Sequence, residues 1–297
     1  MDKLIMQFMG TGAAEGVPTP FCRCRVCENA RKKGGREIRM RSAFRLSKEL
    51  VIDFGPDIFS ECVKTGTDLY DLKHILVTHI HEDHLDIGNF FLKPMVSRRN
   101  QEKVHVYFNG DAYGILAALD KMRYNRSEHF FTNELRETFE FHRLQFFKES
   151  RIGEYTVTPV KGEHAGHFET NAAGYLIELP DKRKLLYALD TGYYKEETLD
   201  YLKEKTIDIL ILEATFGSCE RGDRPYSHLD LHSAVCLCNE LYEQGTLSKT
   251  SEVYLTHINQ EQDYTHEELE SICRRLQQTL PYKLIPAYDG MEIGGAM

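Results

Sequence analysis

The chain of 297 residues is 41% hydrophobic and 28% charged, the make-up of an ordinary globular fold with ample material for a core. A net charge of −9 at pH 7 disfavours indiscriminate binding of long nucleic acid, and no apolar run reaches the ~18 residues a membrane span needs. The opening Met1-Asp2-Lys3-Leu4-Ile5-Met6 is too soon interrupted for a signal peptide, and eight cysteines read as thiols or metal ligands before disulfides, so the cytoplasm is the expected compartment.

Leu4 to Met9 predicts a first strand, ending in the turn Gly10-Thr11-Gly12 and continuing to Gly16-Val17-Pro18. The glycine spacing matches neither phosphate-loop fingerprint. Cys22, Cys24 and Cys27 come next. Three thiolates within six residues can close on one tetrahedral Zn²⁺ but lack a fourth ligand; the alternative is three reduced thiols in a turn. Arg31, Lys32, Lys33, Arg36, Arg39, Arg41 and Arg45 form a basic run, either a solvated face or a contact for substrate phosphate. The strand Leu50-Val51-Ile52 ends at Asp53, a carboxylate that can orient a ligand imidazole from behind or cap the loop.

The densest chemistry lies at Val77-Thr78-His79-Ile80-His81-Glu82-Asp83-His84, directly after the apolar run Ile75-Leu76-Val77. Imidazole nitrogen and carboxylate oxygen are the ligands that borderline and hard divalent ions take. In a tight turn, His79 and His81 can face one ion while Asp83 and His84 face a second, and two such ions clamp both the attacking and the leaving oxygen of an ester.

Ile87 to Val96 has the apolar spacing of a helix packed beneath this loop. Between Asp111 and Arg151 the pattern is poorly legible: Tyr113 to Met122 reads as helix, and Phe130, Phe131, Phe139, Phe141, Phe146 and Phe147 read as core or as a substrate wall. Three further strands end in ligand-type residues: Tyr155 to Val160 leads to His164, Lys184 to Leu189 to Asp190, and Ser251 to Thr256 to His257. Ligands of α/β sheets gather beyond the carboxyl ends of strands. His167 competes with His164 but lies farther from its strand. Tyr226 to Gly245 predicts a helix with His228 and His232 at its start, where an anion is favoured.

The pattern His-x-His-x-Asp-His after an apolar strand resembles the metallo-β-lactamase-fold hydrolases. The resemblance implies an α/β protein, an αββα sandwich of two central mixed β-sheets flanked by helices, as one domain over residues 1–297 with a substrate-specificity insertion around 111–151. It also implies a ligand set: His79, His81 and His164 on a first ion, Asp83, His84 and His257 on a second, and Asp190 bridging, with a shared hydroxide as nucleophile. Within that fold the chain is most similar to the phosphoribosyl cyclic phosphodiesterases of the carbon–phosphorus lyase pathway. The similarity rests on Gly10-Thr11-Gly12, the cysteine cluster, Asp190-Thr191, His228-Leu229-Asp230-Leu231, Leu255-Thr256-His257-Ile258 and Asp289-Gly290-Met291-Glu292-Ile293-Gly294.

This resemblance implies hydrolysis of a small cyclic phosphodiester (ribose 1,2-cyclic phosphate or a 2′,3′-cyclic nucleotide), two manganese or zinc ions, a homodimer, and catalytic roles for Asp83 and for His228 as acid/base. One departure concerns the structural zinc. The family's histidine three residues after the last active-site ligand is here Gln260, so either His266 completes the site of Cys22, Cys24 and Cys27 or the site is weak or absent. Two other classes compete. A ribonuclease Z-like nuclease is disfavoured by the acidic charge. A metal-dependent oxidoreductase like the pyrroloquinoline-quinone biosynthesis hydroxylase shares an early cysteine cluster but departs from the metal motif that is intact here.

Overall fold

A computed structural model describes residues 6–96, 102–110, 133–165, 171–260 and 263–294. The first sheet has the order β14 (Glu292–Ile293), β1 (Met6–Gly10), β2 (Ala43–Arg45), β3 (Leu50–Ile52), β4 (His74–Leu76), β5 (Val104–Asn109), β6 (Phe139–Leu144). The second has the order β13 (Lys283–Pro286), β12 (Glu252–Thr256), β11 (Ile209–Glu213), β10 (Lys184–Ala188), β9 (Asn171–Glu178), β8 (Tyr155–Ala165), β7 (Ser150–Ile152). Both are mixed: β3 to β6 and β10 to β13 pair in parallel, and the remaining pairs are antiparallel.

The sandwich follows from strands that are apolar on both faces, as parallel strands covered on each side must be. Along β11, Ile209 and Ile211 point into the layer between the sheets, while Leu210 and Leu212 point outward to a helical layer. In the middle layer Phe44 of β2 meets Tyr187 of β10 across the sheets at 5.9 Å between ring centroids. The second sheet is covered by α5 (Glu196–Leu202), α6 (Leu231–Glu243) and α7 (His266–Leu276) through Leu202, Leu237, Leu241 and Leu269. The first is covered by α2 (Ile58–Thr65), the turn Ile87–Phe91 and α4 (Asn133–Thr138) through Ile58, Phe90 and Leu135. With α1 (Arg25–Lys33) and α3 (Leu92–Val96) these make seven α-helices among the described residues, on a two-sheet αββα sandwich as expected.

Local departures have local causes. The helix expected over 87–96 is a 3-10 turn, Ile87–Phe91, followed by α3; a continuous α-helix would need a bond from the missing N–H of Pro94 to the Phe90 carbonyl. The helix expected from Tyr226 begins at Leu231, because Asp230 caps it: its side chain accepts from Ser233 N at 2.9 Å in a reciprocal capping box. The N-terminus read as an anion site is therefore filled by the chain's own carboxylate. Beyond its C-terminus Gly245 adopts φ 83°, as a helix-ending glycine should.

Much of the basic run is paired. Lys33 and Arg36 meet Glu267 and Glu270 of α7, Arg41 meets Asp57, and Arg39 is buried against Thr11 and His266. Phe139 is part of the core beneath the first sheet, and Phe141, Phe146 and Phe147 pack partly buried against the cores. Within the stretch read as an insertion, residues 139–144 and 150–152 are edge strands of the two sheets. Phe130, Phe131, His167 and the helix expected over 113–122 lie outside the described residues.

Candidate metal centre

The ends of β4, β8, β10 and β12 open on one edge of the sandwich, and the loops beyond them meet there. The loop after β4 packs so closely on Gly55 that a Cβ there would stand 2.1 Å from the Asp83 carbonyl oxygen. Asp53, Asp190, Ser227 and His257 all take left-handed backbone (φ 65°, 47°, 78° and 56°). Non-glycine residues adopt that region at a cost, and its recurrence at four site positions marks loops held by their surroundings.

His79, His81 and His164 offer ring nitrogens that lie within 4.8 Å of one another. His81 Nδ1 is 2.9 Å from His79 Nε2 and 3.1 Å from His164 Nε2. Rings ligating one ion at about 2.0–2.1 Å each approach to such separations. Asp83, His84 and His257 form a second group, and Asp190 joins His84 and His79 in a third. Asp190 Oδ2 lies 2.7 Å from His84 Nε2 and 3.2 Å from His257 Nε2, yet this buried oxygen makes no aligned hydrogen bond. A buried carboxylate oxygen facing imidazole nitrogens without an aligned hydrogen bond is what a cation would satisfy, so the donor set fits divalent metal. His164 itself lies inside β8, the strand being longer than its alternation predicts.

Three of the rings are also held from behind, as metal-binding imidazoles are. His84 Nδ1 is 2.7 Å from Asp53 Oδ2, while Thr78 donates to Asp53 Oδ1 through both its N–H and its hydroxyl. Asp53 thus orients an imidazole, one of the two roles its sequence position permits. His164 Nδ1 is 2.8 Å from Ser227 Oγ, and His257 Nδ1 is 2.9 Å from Thr215 Oγ1. Thr215 donates to Glu213 Oε2 at 2.6 Å.

His228 stands beside both groups, its ring centroid 4.7 Å from that of His164 and 5.6 Å from that of His257. Its Nδ1 is 3.0 Å from Glu213 Oε2 and 3.1 Å from Asp190 Oδ1. Glu213 was missed in the sequence, although it ends an apolar strand just as Asp53 does. It is fully buried and also accepts from Thr191 N and Gly192 N.

The charges follow from this packing. Burial opposes charge on His84, but the carboxylates of Asp83, Asp190 and Asp53 outweigh it and raise its pKa well above the imidazole value. Burial lowers His79, and the His84 ring lowers it further. Asp190 is pushed up by burial, yet His257 and His84 hold it well below the usual carboxylate range. His228 is pushed down by burial, but Glu213 and then Asp190 raise it to about 9.

Elsewhere, Cys22, Cys24 and Cys27 place their sulfurs within 4.8 Å of one another. Burial raises Cys27 to about 12; at Cys24 burial also pushes upward, but backbone N–H of Cys27 and the Cys22 thiol outweigh it and lower the pKa. His266 faces Arg39 at 3.0 Å through Nδ1 and Glu270 at 3.3 Å through Nε2. Gln260 keeps a buried Oε1 without a hydrogen bond. His232 pairs with Cys236 of α6 at 3.6 Å.

A sequence-family model described as "Beta-lactamase superfamily domain" matches residues 48–258. Among solved structures the chain resembles a diphosphatase from the PhnP family, 23% identical with a TM-score of 0.70, over 98% of this chain and 96% of that one. It also resembles Zn²⁺-bound PqqB from Methylobacterium extorquens, 16% identical with a TM-score of 0.65, over 98% and 99% of the two chains. At these identities the likeness is one of fold. A curated relative, the octanoyltransferase of Porphyromonas gingivalis (strain ATCC BAA-308 / W83), is 33% identical over 81 residues, which span 26% of this chain and 15% of that protein.

Proposed function

The chain belongs to the beta-lactamase superfamily, and from that membership we propose that it is a metal-dependent phosphodiesterase opening small cyclic phosphates of the ribose 1,2-cyclic or 2′,3′-cyclic nucleotide type. The observation that carries this reading is the placement of His228, an imidazole whose Nδ1 stands 3.0 Å from Glu213 and 3.1 Å from Asp190, carboxylates that raise its pKa. A ribose oxygen leaves a phosphodiester badly without a proton, and an acid at that position can supply one.

His79, His81 and His164 would hold one divalent ion and Asp83, His84 and His257 the other, with Asp190 between them. Manganese or zinc bound there supplies Lewis acidity toward phosphate oxygens and lowers the pKa of water. The chain's own contribution is orientation and proton delivery. Asp53, Ser227 and Thr215 fix His84, His164 and His257. His228 donates its proton to the leaving oxygen, and Glu213 keeps its ring aimed.

A cleft of about 540 Å³ borders the site along Tyr193, Lys195, Arg224 and Tyr226. That volume suits a small ligand and Tyr193 and Tyr226 offer it faces to stack on, while the cleft's cations are paired, Lys195 with Glu163 and Arg224 with Glu240. A homodimer and a cytoplasmic location accompany this reading, the first open to light scattering.

The test is turnover of ribose 1,2-cyclic phosphate, 2′,3′-cyclic nucleotides and bis-p-nitrophenyl phosphate by metal-reconstituted protein. Ring opening to a monoester is expected. Absence of phosphodiester cleavage with manganese and with zinc overturns the reading.

A further inference from the structure

At the other end of the first sheet the inner face changes character. On β4, β5 and β6 the side chains that point toward the second sheet run inward to Leu76, Tyr107 and Leu144 of the core. Toward the amino ends of the same strands they become His74, His105, Glu140 and His142. The register sets His74 opposite His105, His105 opposite Glu140, and Tyr107 opposite His142. His74 heads β4, whereas the candidate metal centre lies beyond its carboxyl end, about 16 Å away at ~3.3 Å per residue. The cluster is therefore distinct from that centre.

His105 Nδ1 and His142 Nε2 are 2.9 Å apart. The two Glu140 oxygens lie 3.8 Å from His105 Nδ1 and 3.9 Å from His142 Nε2. These ligand atoms fall within 4.8 Å of one another, the spread one ion can span. The rings are also fixed. His74 stacks on His105 with centroids 5.6 Å apart, and Tyr107 stacks on His142 at 4.7 Å. His74 is itself held, with Nδ1 3.3 Å from Tyr107 Oη and Nε2 under the β7–β8 turn, where a Cβ on Gly153 would stand 3.2 Å away.

From this juxtaposition we propose that His105, Glu140 and His142 form a second metal site, for a single divalent transition ion of the imidazole-preferring class such as zinc. Two imidazoles and a carboxylate are a donor set that zinc and its neighbours take, and water completes it. The three side chains are 33%, 53% and 32% exposed, open enough for an ion to enter and keep water ligands. Calcium and magnesium, which prefer oxygen, would be rejected.

The test counts metal and does not depend on phosphodiester cleavage. Full-length protein is stripped with chelator, dialysed against a series of micromolar zinc concentrations, and analysed for bound zinc. His142→Phe keeps the stack on Tyr107 and removes the ligand; it should bind one zinc equivalent fewer than the natural chain. His105→Gln, a half-exposed substitution that preserves polarity, should lose the same equivalent, and magnesium should not compete. Zinc content equal to that of the natural chain in either folded variant across the titration overturns the site, leaving a hydrogen bond between two imidazoles.

Discussion

Glu213 Oε2 holds the His228 ring at 3.0 Å from Nδ1, and it is fully buried while doing so. Loss of His228 should hurt substrates with poor leaving groups far more than those with good ones, because p-nitrophenolate departs without a proton. His228→Ala is expected to lose about 10²–10⁴-fold in turnover on a cyclic nucleotide, the usual worth of general acid catalysis, and much less on bis-p-nitrophenyl phosphate. Glu213→Gln should follow the same selectivity with a smaller loss. Equal losses on both substrates would assign His228 to phosphate binding instead.

Asp190 gives the centre a second handle. Its Oδ2 faces His84 and His257 and its Oδ1 faces His228, so its carboxylate is shared by groups on both sides. Asp190→Ala should bind neither active-site ion tightly and should retain almost no turnover. Elemental analysis beside kinetics decides it. A variant with two active-site equivalents and normal rate would remove Asp190 from the centre.

The ligand-type residues were legible because each lies near or just beyond the carboxyl end of an apolar strand, so a short pattern carried both the chemistry and its address. Glu213 also ends an apolar strand, Ile209–Glu213, but no histidine neighbours it in sequence to mark it as part of a ligand pattern. Ser227 and Thr215 were not legible, because a hydroxyl that steers an imidazole from another loop has no spacing rule. His105, Glu140 and His142 are gathered by the parallel pairing of β5 and β6. That register emerges only in three dimensions. The start of α6 was misplaced by a few residues because Asp230 caps the helix.

His266 supplies a pH signature for stability. Burial, then Arg39 and Arg36, lowers its pKa to about 3. The unfolded chain, with an ordinary value near 6.5, binds the proton more readily, so stability is fully present above ~6.5 and is lost as pH falls toward 3. At pH 5 the difference is about 1.5 units, or ~2 kcal/mol. Denaturant titrations at pH 7 and pH 5 should show His266→Asn less stable than the natural chain at pH 7 but with a shallower acid slope, smaller by about that amount. An identical slope in both chains would mean that His266 takes up its proton in the fold.

The cysteine cluster is the remaining test, and it separates a zinc site from three thiols in a turn. Cys24 is the informative position: its amide N–H donates to Cys22 Sγ at 3.3 Å, and its thiol pKa is lowered, as suits a thiolate ligand. Its loop follows β1 and leads into α1, and Cys24 is not among the groups proposed to hold the active-site ions or to touch phosphate, so its loss should affect stability and not chemistry. Cys24→Ala is expected to lower the melting temperature and remove one zinc equivalent while phosphodiester turnover persists. Cobalt substitution gives an independent readout, since thiolate ligation produces a charge-transfer band that imidazole and carboxylate sites lack. The band should be present in the natural chain and abolished in Cys24→Ala. A natural chain with no such band, together with an unchanged melting curve in the variant, would mean that Gln260 marks a site this chain has lost. A band that survives in Cys24→Ala but vanishes in Cys22→Ala would leave Cys24 outside the ligand set. If the band is present, comparing it in His266→Asn then tests the fourth ligand: a shifted spectrum would bring His266 to the metal, and an unshifted one would leave it with Arg39 and Glu270.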